Sequence, residues 1–180
     1  MRSNLNERLM GQSALLMVAA FAAGALIAAC REAPGTPVRP LEVTAGTACS
    51  LDGMLLADYP GPKAQIHYAS GTPDFFCDTV EMFSIYLQPE QQKRVAAIYV
   101  QDMGATDWDT PAGHWIDARS ATYVHGSRKR GSMGPTLASF ARESDARSFA
   151  TQQGGHVMRF EQVTPDMVAL DGGALHDSRM

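Results

Sequence analysis

The sequence predicts an α+β fold in which two similar small ββαβ units pack into one compact domain. Strand, strand, helix and strand signals occur in that order between residues 47 and 103 and again between 113 and 170. Each unit alone is too small for a robust core, so the two are expected to stabilise each other by packing. A composition of 45% hydrophobic and 19% charged residues suits such a globular domain and excludes a disordered or collagen-like chain.

In the first unit, Ala64 to Ala69 alternates as a strand does, Ser70-Gly71 turns the chain, and Phe75-Phe76-Cys77 forms a second short strand, giving a hairpin. Asp78 starts a helix, with Glu81 three residues on as a capping-box partner and Val80, Phe83, Ile85, Tyr86 and Leu87 on its apolar side. That helix must end before Pro89. Val95 to Val100 is an apolar run of strand length.

Met103 to Gly113, with Gly104, Pro111 and Gly113 among acidic residues, is the expected boundary. The second unit reads as a strand within Trp115 to Gly126, a short strand from Thr136 to Phe140, and a helix from Asp145 to Gln153 capped by Ser144. Gly154-Gly155 ends that helix, and a strand from Val157 to Val163 closes the unit.

Residues 1 to 29 lie outside this fold. Arg2 and Arg8 form a basic start, and Ala14 to Ala29 is an apolar run of sixteen residues, short of the roughly 20 that span a bilayer. The run ends Leu26-Ile27-Ala28-Ala29-Cys30, which resembles the lipobox of bacterial lipoproteins. The expected mature chain begins at a lipidated Cys30 on the periplasmic face of a membrane. Arg31, rather than an aspartate, favours the outer membrane under enteric-type sorting. Loss of Arg2, Glu7 and Arg8 takes the formal charge from −4 to −5 and leaves Cys49 and Cys77 as the thiols. An oxidising periplasm allows those two to pair as a disulfide. Residues 30 to 46 contain Pro34, Pro37 and Pro40 and read as a tether that spans up to about 50 Å when fully extended. The domain proper is then 47 to 180.

The acidic balance offers no footprint for nucleic acid. No Gly-x-Ser-x-Gly elbow, phosphate loop or His-Glu-x-x-His is present, so nothing points to an enzyme. The cysteine spacing fits no structural zinc pattern. A soft-metal site fits better, because thiolates and thioethers together select Cu(I). Cys49 and Met54 flank the Asp52-Gly53 turn, and Met133 lies in Gly131-Ser132-Met133-Gly134, where small neighbours leave its thioether uncovered. His67 and Cys77, expected to face one another across the hairpin, form a reserve site, or a Cys77 nucleophile with a nearby base. His114, His125, His156 and His176 have no ligand-like spacing and read as surface or turn residues. Arg128-Lys129-Arg130 is a solvated loop or a docking patch for an acidic partner.

Five segments in order carry a resemblance: Cys49-Ser-Leu-Asp-Gly-Met54, Tyr59-Pro-Gly-Pro-Lys-Ala-Gln65, Ala97-Ile-Tyr-Val-Gln-Asp102, Trp115-Ile-Asp-Ala-Arg119 and Gly126 to Gly134. Behind a lipobox, they resemble the NosL family of nitrous oxide reductase accessory lipoproteins. The resemblance implies a membrane-anchored Cu(I) chaperone that supplies nitrous oxide reductase and works with the transporter complex of the same assembly pathway. It also implies a fold of two ββαβ units. Many members carry a cysteine directly before the Gly-Met pair, where this chain has Asp52. The thiolate role therefore moves to Cys49, with Met54 and Met133 as thioether donors. The competing reading is a tethered interaction lipoprotein that binds no metal.

Overall fold

In the first hairpin, β1 (Ala64–Tyr68) and β2 (Asp74–Phe76) pair antiparallel with Ala64 opposite Phe76 and Ile66 opposite Asp74. These coordinates come from a computed structural model that describes residues 38–89 and 94–170. The signal segment 1 to 29, Cys30, the tether up to Pro37, and His176 lie outside the described residues.

Helix α1 (Thr79–Tyr86) follows β2, with Asp78 at its N-cap accepting from Val80 N at 2.9 Å. This bond satisfies one of the donors that a helix start leaves without a partner. The helix stops at Leu87, before Pro89. Strand β3 (Val95–Gln101) returns along β1, and β4 (Trp115–Asp117) pairs with β3, giving a sheet of order β2-β1-β3-β4.

The second unit repeats the plan. Its strands are β5 (Thr122–His125), a short hairpin of β6 (Arg130–Gly131) and β7 (Gly134–Pro135), then β8 (Ala138–Phe140). Helix α2 (Glu143–Gln153) and strand β9 (His156–Arg159) complete it. The sheet order β8-β5-β9 matches β2-β1-β3: the first strand is central, flanked by the second strand and by the strand after the helix. The expected α+β fold of two ββαβ units is therefore the observed one.

Three local expectations are corrected. Trp115 to Gly126 is not one strand, because Asp117 breaks it. Its carbonyl accepts from Ser120 N and Ala121 N at 3.2 Å, and its Oδ1 accepts from Arg119 N at 2.8 Å. The resulting turn sends β4 to the first sheet and β5 to the second. Helix α2 begins at Glu143 after Arg142, not behind a Ser144 cap. The closing strand ends at Arg159, where Phe160–Gln162 forms a 3-10 turn that drops the Phe160 ring into the core.

That core is shared by both units. Phe83 of α1 meets Tyr123 of β5 edge-on at 5.3 Å between ring centres, and Phe160 lies 5.0 Å from Phe83. Ile66 and Ile98 of the first sheet belong to the same cluster as Tyr123 and Leu137 of the second. Across the second sheet, Val124 and Phe140 pack with Ala146 and Phe149 of α2.

The end of the expected tether belongs to the folded body. The Gln65 carboxamide brackets Leu41, its Oε1 accepting from Leu41 N at 2.8 Å and its Nε2 donating to Leu41 O at 3.0 Å. Tyr99 Oη donates to Val38 O, and Trp115 Nε1 donates to Glu42 Oε2 at 3.4 Å. With Val43 against the core, residues 38 to 43 are held on the first sheet.

Candidate metal centre

The loop before the first sheet sets the position of Cys49. Cys49 N donates to Met54 O at 2.8 Å and Gly53 N donates to Cys49 O at 2.9 Å, which closes a tight turn over Ser50 to Gly53. Gly53 has φ 79°, a left-handed conformation that favours glycine. Ser50 N donates to Phe75 O at 2.7 Å, and Phe75 N donates to Ser50 Oγ at 3.1 Å. These bonds tie the turn to the free edge of β2 and place Cys49 beside Cys77, which sits between β2 and the cap of α1.

One helical turn beyond Cys77, Glu81 projects from the same side of the chain. Its Oε2 lies 3.3 Å from the sulfur of Cys49 and 3.3 Å from that of Cys77. Cys49, Asp52, Cys77 and Glu81 each contribute one donor atom, and these four atoms all lie within 4.8 Å of one another. Asp52 is exposed, whereas Cys49, Cys77 and Glu81 are buried. The cluster thus opens on the side of Asp52.

Too few protons serve too many anions here. The Cys49 thiol is held down to about 6, first by a hydrogen bond from Cys77 and further by backbone N–H groups that include Leu51 N at 3.4 Å. Cys77 is pushed up because it keeps the proton shared with Cys49 and is buried. Burial, then the adjacent Cys49 thiolate, pushes Glu81 up to about 7. Below the cluster, Lys63 is 1% exposed and donates to the carbonyls of Tyr59, Pro60 and Cys77 at 2.7, 3.0 and 3.2 Å. Burial lowers its ammonium to about 8, against the pull of Cys77, Asp78 and Glu81. Asp78 is pushed up to about 6, chiefly by burial.

The donors expected from the sequence separate into groups. Cys49 and Cys77 meet. Met54 is half-buried against the main core, and Met133 is exposed at the tip of the β6–β7 turn. That turn reaches the centre from behind, with Ser132 Oγ donating to Cys77 O at 3.1 Å. The expected facing of His67 and Cys77 is corrected. The register of β1 and β2 puts His67 beyond the paired stretch at the turn end and Cys77 beyond it at the other end. His67 instead bonds Gln65 Oε1 at 2.7 Å and packs edge-on against Tyr99. The basic run is also divided: Arg128 donates to Gln152 O at 2.6 Å, and Lys129 lies 5.3 Å from the Trp108 ring centre.

Glu81 is the residue that sequence reading placed in another role. It does not close the capping box, because its carboxyl turns to the sulfurs. The available signal was the four-residue spacing from Cys77 to Glu81 across the Asp78 cap, which lets the first turn of α1 bring the carboxyl back to the sulfur. Asp52, set aside as a hard oxygen donor, reaches the cluster through the Gly53 turn. Two sulfurs with two flanking carboxyls make a soft pair with proton acceptors beside it, able to hold a thiophilic ion and to take up the protons that ion displaces.

The protein-family model NosL matches residues 40–168. The chain belongs to the NosL family. Among NosL relatives, "Copper-binding lipoprotein NosL" of Stutzerimonas stutzeri is 43% identical over 134 residues, covering 72% of this chain and 70% of that protein. The protein of the same name from Achromobacter cycloclastes is 38% identical over 159 residues, covering 86% of this chain and 82% of that one. The crystal structure of the copper chaperone NosL from Shewanella denitrificans superposes with a TM-score of 0.70 at 37% identity, covering 73% of this chain and 99% of that chain. The NosL resemblance of the five sequence segments is thus confirmed.

Proposed function

We propose that this NosL chain is a Cu(I) chaperone, lipid-anchored through Cys30 at the periplasmic face of the outer membrane, that supplies copper for the centres of nitrous oxide reductase. The observation that supports it most is the buried Cys49–Cys77 sulfur pair beside Glu81. Soft sulfur donors suit Cu(I) and a low coordination number, whereas carboxylates alone serve it poorly. The Met54 and Met133 thioethers supply further soft donors as the loops close on the ion. Transfer follows from the open side at Asp52. An incoming thiolate, thioether or imidazole of the acceptor enters a free coordination position before Cys49 leaves, so copper is never released to water.

Nitrous oxide reductase and the transporter complex of the assembly pathway are the proposed partners. Arg128 and Arg130, both exposed, can steer an acidic partner, with Lys129 held over Trp108 between them. Steering of this kind gives an on-rate that falls with salt, and a salt-insensitive on-rate removes that role.

Anaerobic titration of the reduced protein with Cu(I) against a competing chelator tests the assignment. One equivalent held tightly, with loss on Cys49→Ser, supports it. A wild-type protein that holds no Cu(I) makes the chain a tethered interaction module instead.

A further inference from the structure

The second sheet brings together two histidines that lie far apart along the chain. His125 ends β5 and His156 begins β9, and the antiparallel register sets them directly opposite each other. Directly opposed residues project from the same face, with β-carbons about 4.5–5.5 Å apart. Two imidazoles can close that gap on one ion at metal–nitrogen distances of about 2.0–2.1 Å.

Strand alternation puts His125 on the side of Tyr123 and His156 on the side of Met158. Val124 and Val157, on the other side, pack with the residues of α2. The helix therefore does not cover the pair. His125 is half-buried and His156 exposed. Among the described residues neither ring makes a hydrogen bond or an ion pair, so no existing bond has to break when an ion binds.

The backbone beneath the two rings is closely fitted. Gly155, at φ 97°, lies so near β5 that a β-carbon on it would come within 2.6 Å of His125 O. Arg128 N donates to Gln153 O at 2.9 Å and closes the end of the sheet. A rigid frame is what a two-ligand chelate needs to hold its donors in place.

We propose that His125 and His156 form a second metal site that takes a divalent first-row transition ion through two imidazole nitrogens. By the Irving–Williams order it binds Cu(II) most strongly. It shares no residue with the thiol cluster and differs from it in softness: sulfur for Cu(I) there, imidazole for the divalent ion here. Water or a donor from a partner fills the remaining positions.

Histidine-ring proton NMR of the full chain tests this, with Ni(II) as the probe because it is paramagnetic and does not oxidise the thiols. The ring signals of His125 and His156 are expected to broaden together, ahead of those of His67, His114 and His176. Replacing His125→Asn is expected to abolish the broadening of His156 at the same Ni(II) level, and His156→Asn that of His125. Ni(II) held by Cys49 and Cys77 broadens signals around those residues in every variant alike and cannot mimic this loss. Undiminished broadening of either ring after the other is replaced overturns the proposal. So does the absence of broadening at both rings in several-fold excess of Ni(II).

Discussion

Gly131 approaches Asp78 so closely that a β-carbon on Gly131 would come within 2.0 Å of Asp78 Oδ2. The contact joins the two repeats, because Gly131 is in the β6–β7 hairpin of the second and Asp78 caps α1 of the first. Thr136 adds to the junction by donating from Oγ1 to Asp78 Oδ1 at 2.7 Å, and Thr79 Oγ1 donates to Leu137 O at 2.7 Å. The position of Cys77, next in the chain to Asp78, therefore depends on a junction that neither repeat builds alone.

Gly131→Ala is expected to destabilise the protein by about 1–3 kcal/mol, the usual cost of forcing a methyl group into filled space. The added carbon meets Oδ2 of a carboxyl group whose other oxygen, Oδ1, is anchored by Val80 N and Thr136 Oγ1, not the loose end of a flexible chain. Denaturant unfolding at neutral pH measures the change. Wild-type stability would show that the hairpin moves away at no cost.

Burial lifts the Asp78 carboxyl from its ordinary 3.8 to about 6, and Oδ2 is buried without a hydrogen-bond partner among the described residues. Below pH 3.8 both folded and unfolded states carry the proton. Between about pH 4 and 6 the unfolded chain ionises while the folded one does not, so wild-type stability falls as pH rises through that window. The Asn side chain of Asp78→Asn has no proton to lose there. Its unfolding free energy is expected to gain on wild type by on the order of 3 kcal/mol from pH 4 to 6. Parallel pH profiles for the two proteins would place the ionised carboxylate in the fold at no cost.

Under the proposed assignment, Cu(I) held by the thiol pair displaces the proton that Cys77 shares with Cys49. Affinity for Cu(I) is therefore expected to rise with pH between about 6 and 9, by about tenfold per pH unit for each proton displaced. Cys77→Ser removes the second sulfur and is expected to weaken binding and flatten that profile together. A pH-independent affinity in the wild-type protein would mean that the ion is held by thioethers alone.

Gln65 is buried and holds Leu41 by both ends of its carboxamide. Gln65→Ala is expected to release residues 38 to 43, at a net cost of about 1–2 kcal/mol for the lost hydrogen bonds. Limited proteolysis reports this directly, through faster cleavage near Leu41 with the rest of the chain intact. Unchanged cleavage would show that Tyr99 and Trp115 hold the segment without Gln65.

Phe83 stands where the helix of the first repeat meets the sheet of the second. Truncation by Phe83→Ala is expected to cost about 3–5 kcal/mol, and both repeats should unfold in one transition. Two separate transitions in thermal unfolding would show that each repeat keeps a core of its own.

Local chemistry was legible in the sequence. Alternation gave β1, the capping character of Asp78 gave the start of α1, Pro89 bounded its end, and Gly154-Gly155 marked the end of α2. The repeated order of these signals gave the α+β fold, and the soft donors Cys49, Met54 and Met133, with Cys77 in reserve, pointed to copper. These features depend on neighbours within a few residues, whose spacing the chain itself fixes.

What the tertiary structure decided were the long-range pairings. Glu81 has the spacing of a capping box, yet two buried sulfurs outcompete the backbone for its carboxyl. Trp115–Asp117 pairs with β3 because Asp117 turns the chain away from β5. The Pro-rich segment contributes residues 38 to 43 to the first sheet because Gln65 and Tyr99 offer it bonds that a local reading does not contain. His125 and His156 have no ligand spacing along the chain, and only the antiparallel register of β5 and β9 sets them opposite one another. Sequence determines which donors exist and which local turns they favour, whereas strand register and shared burial determine which of them meet.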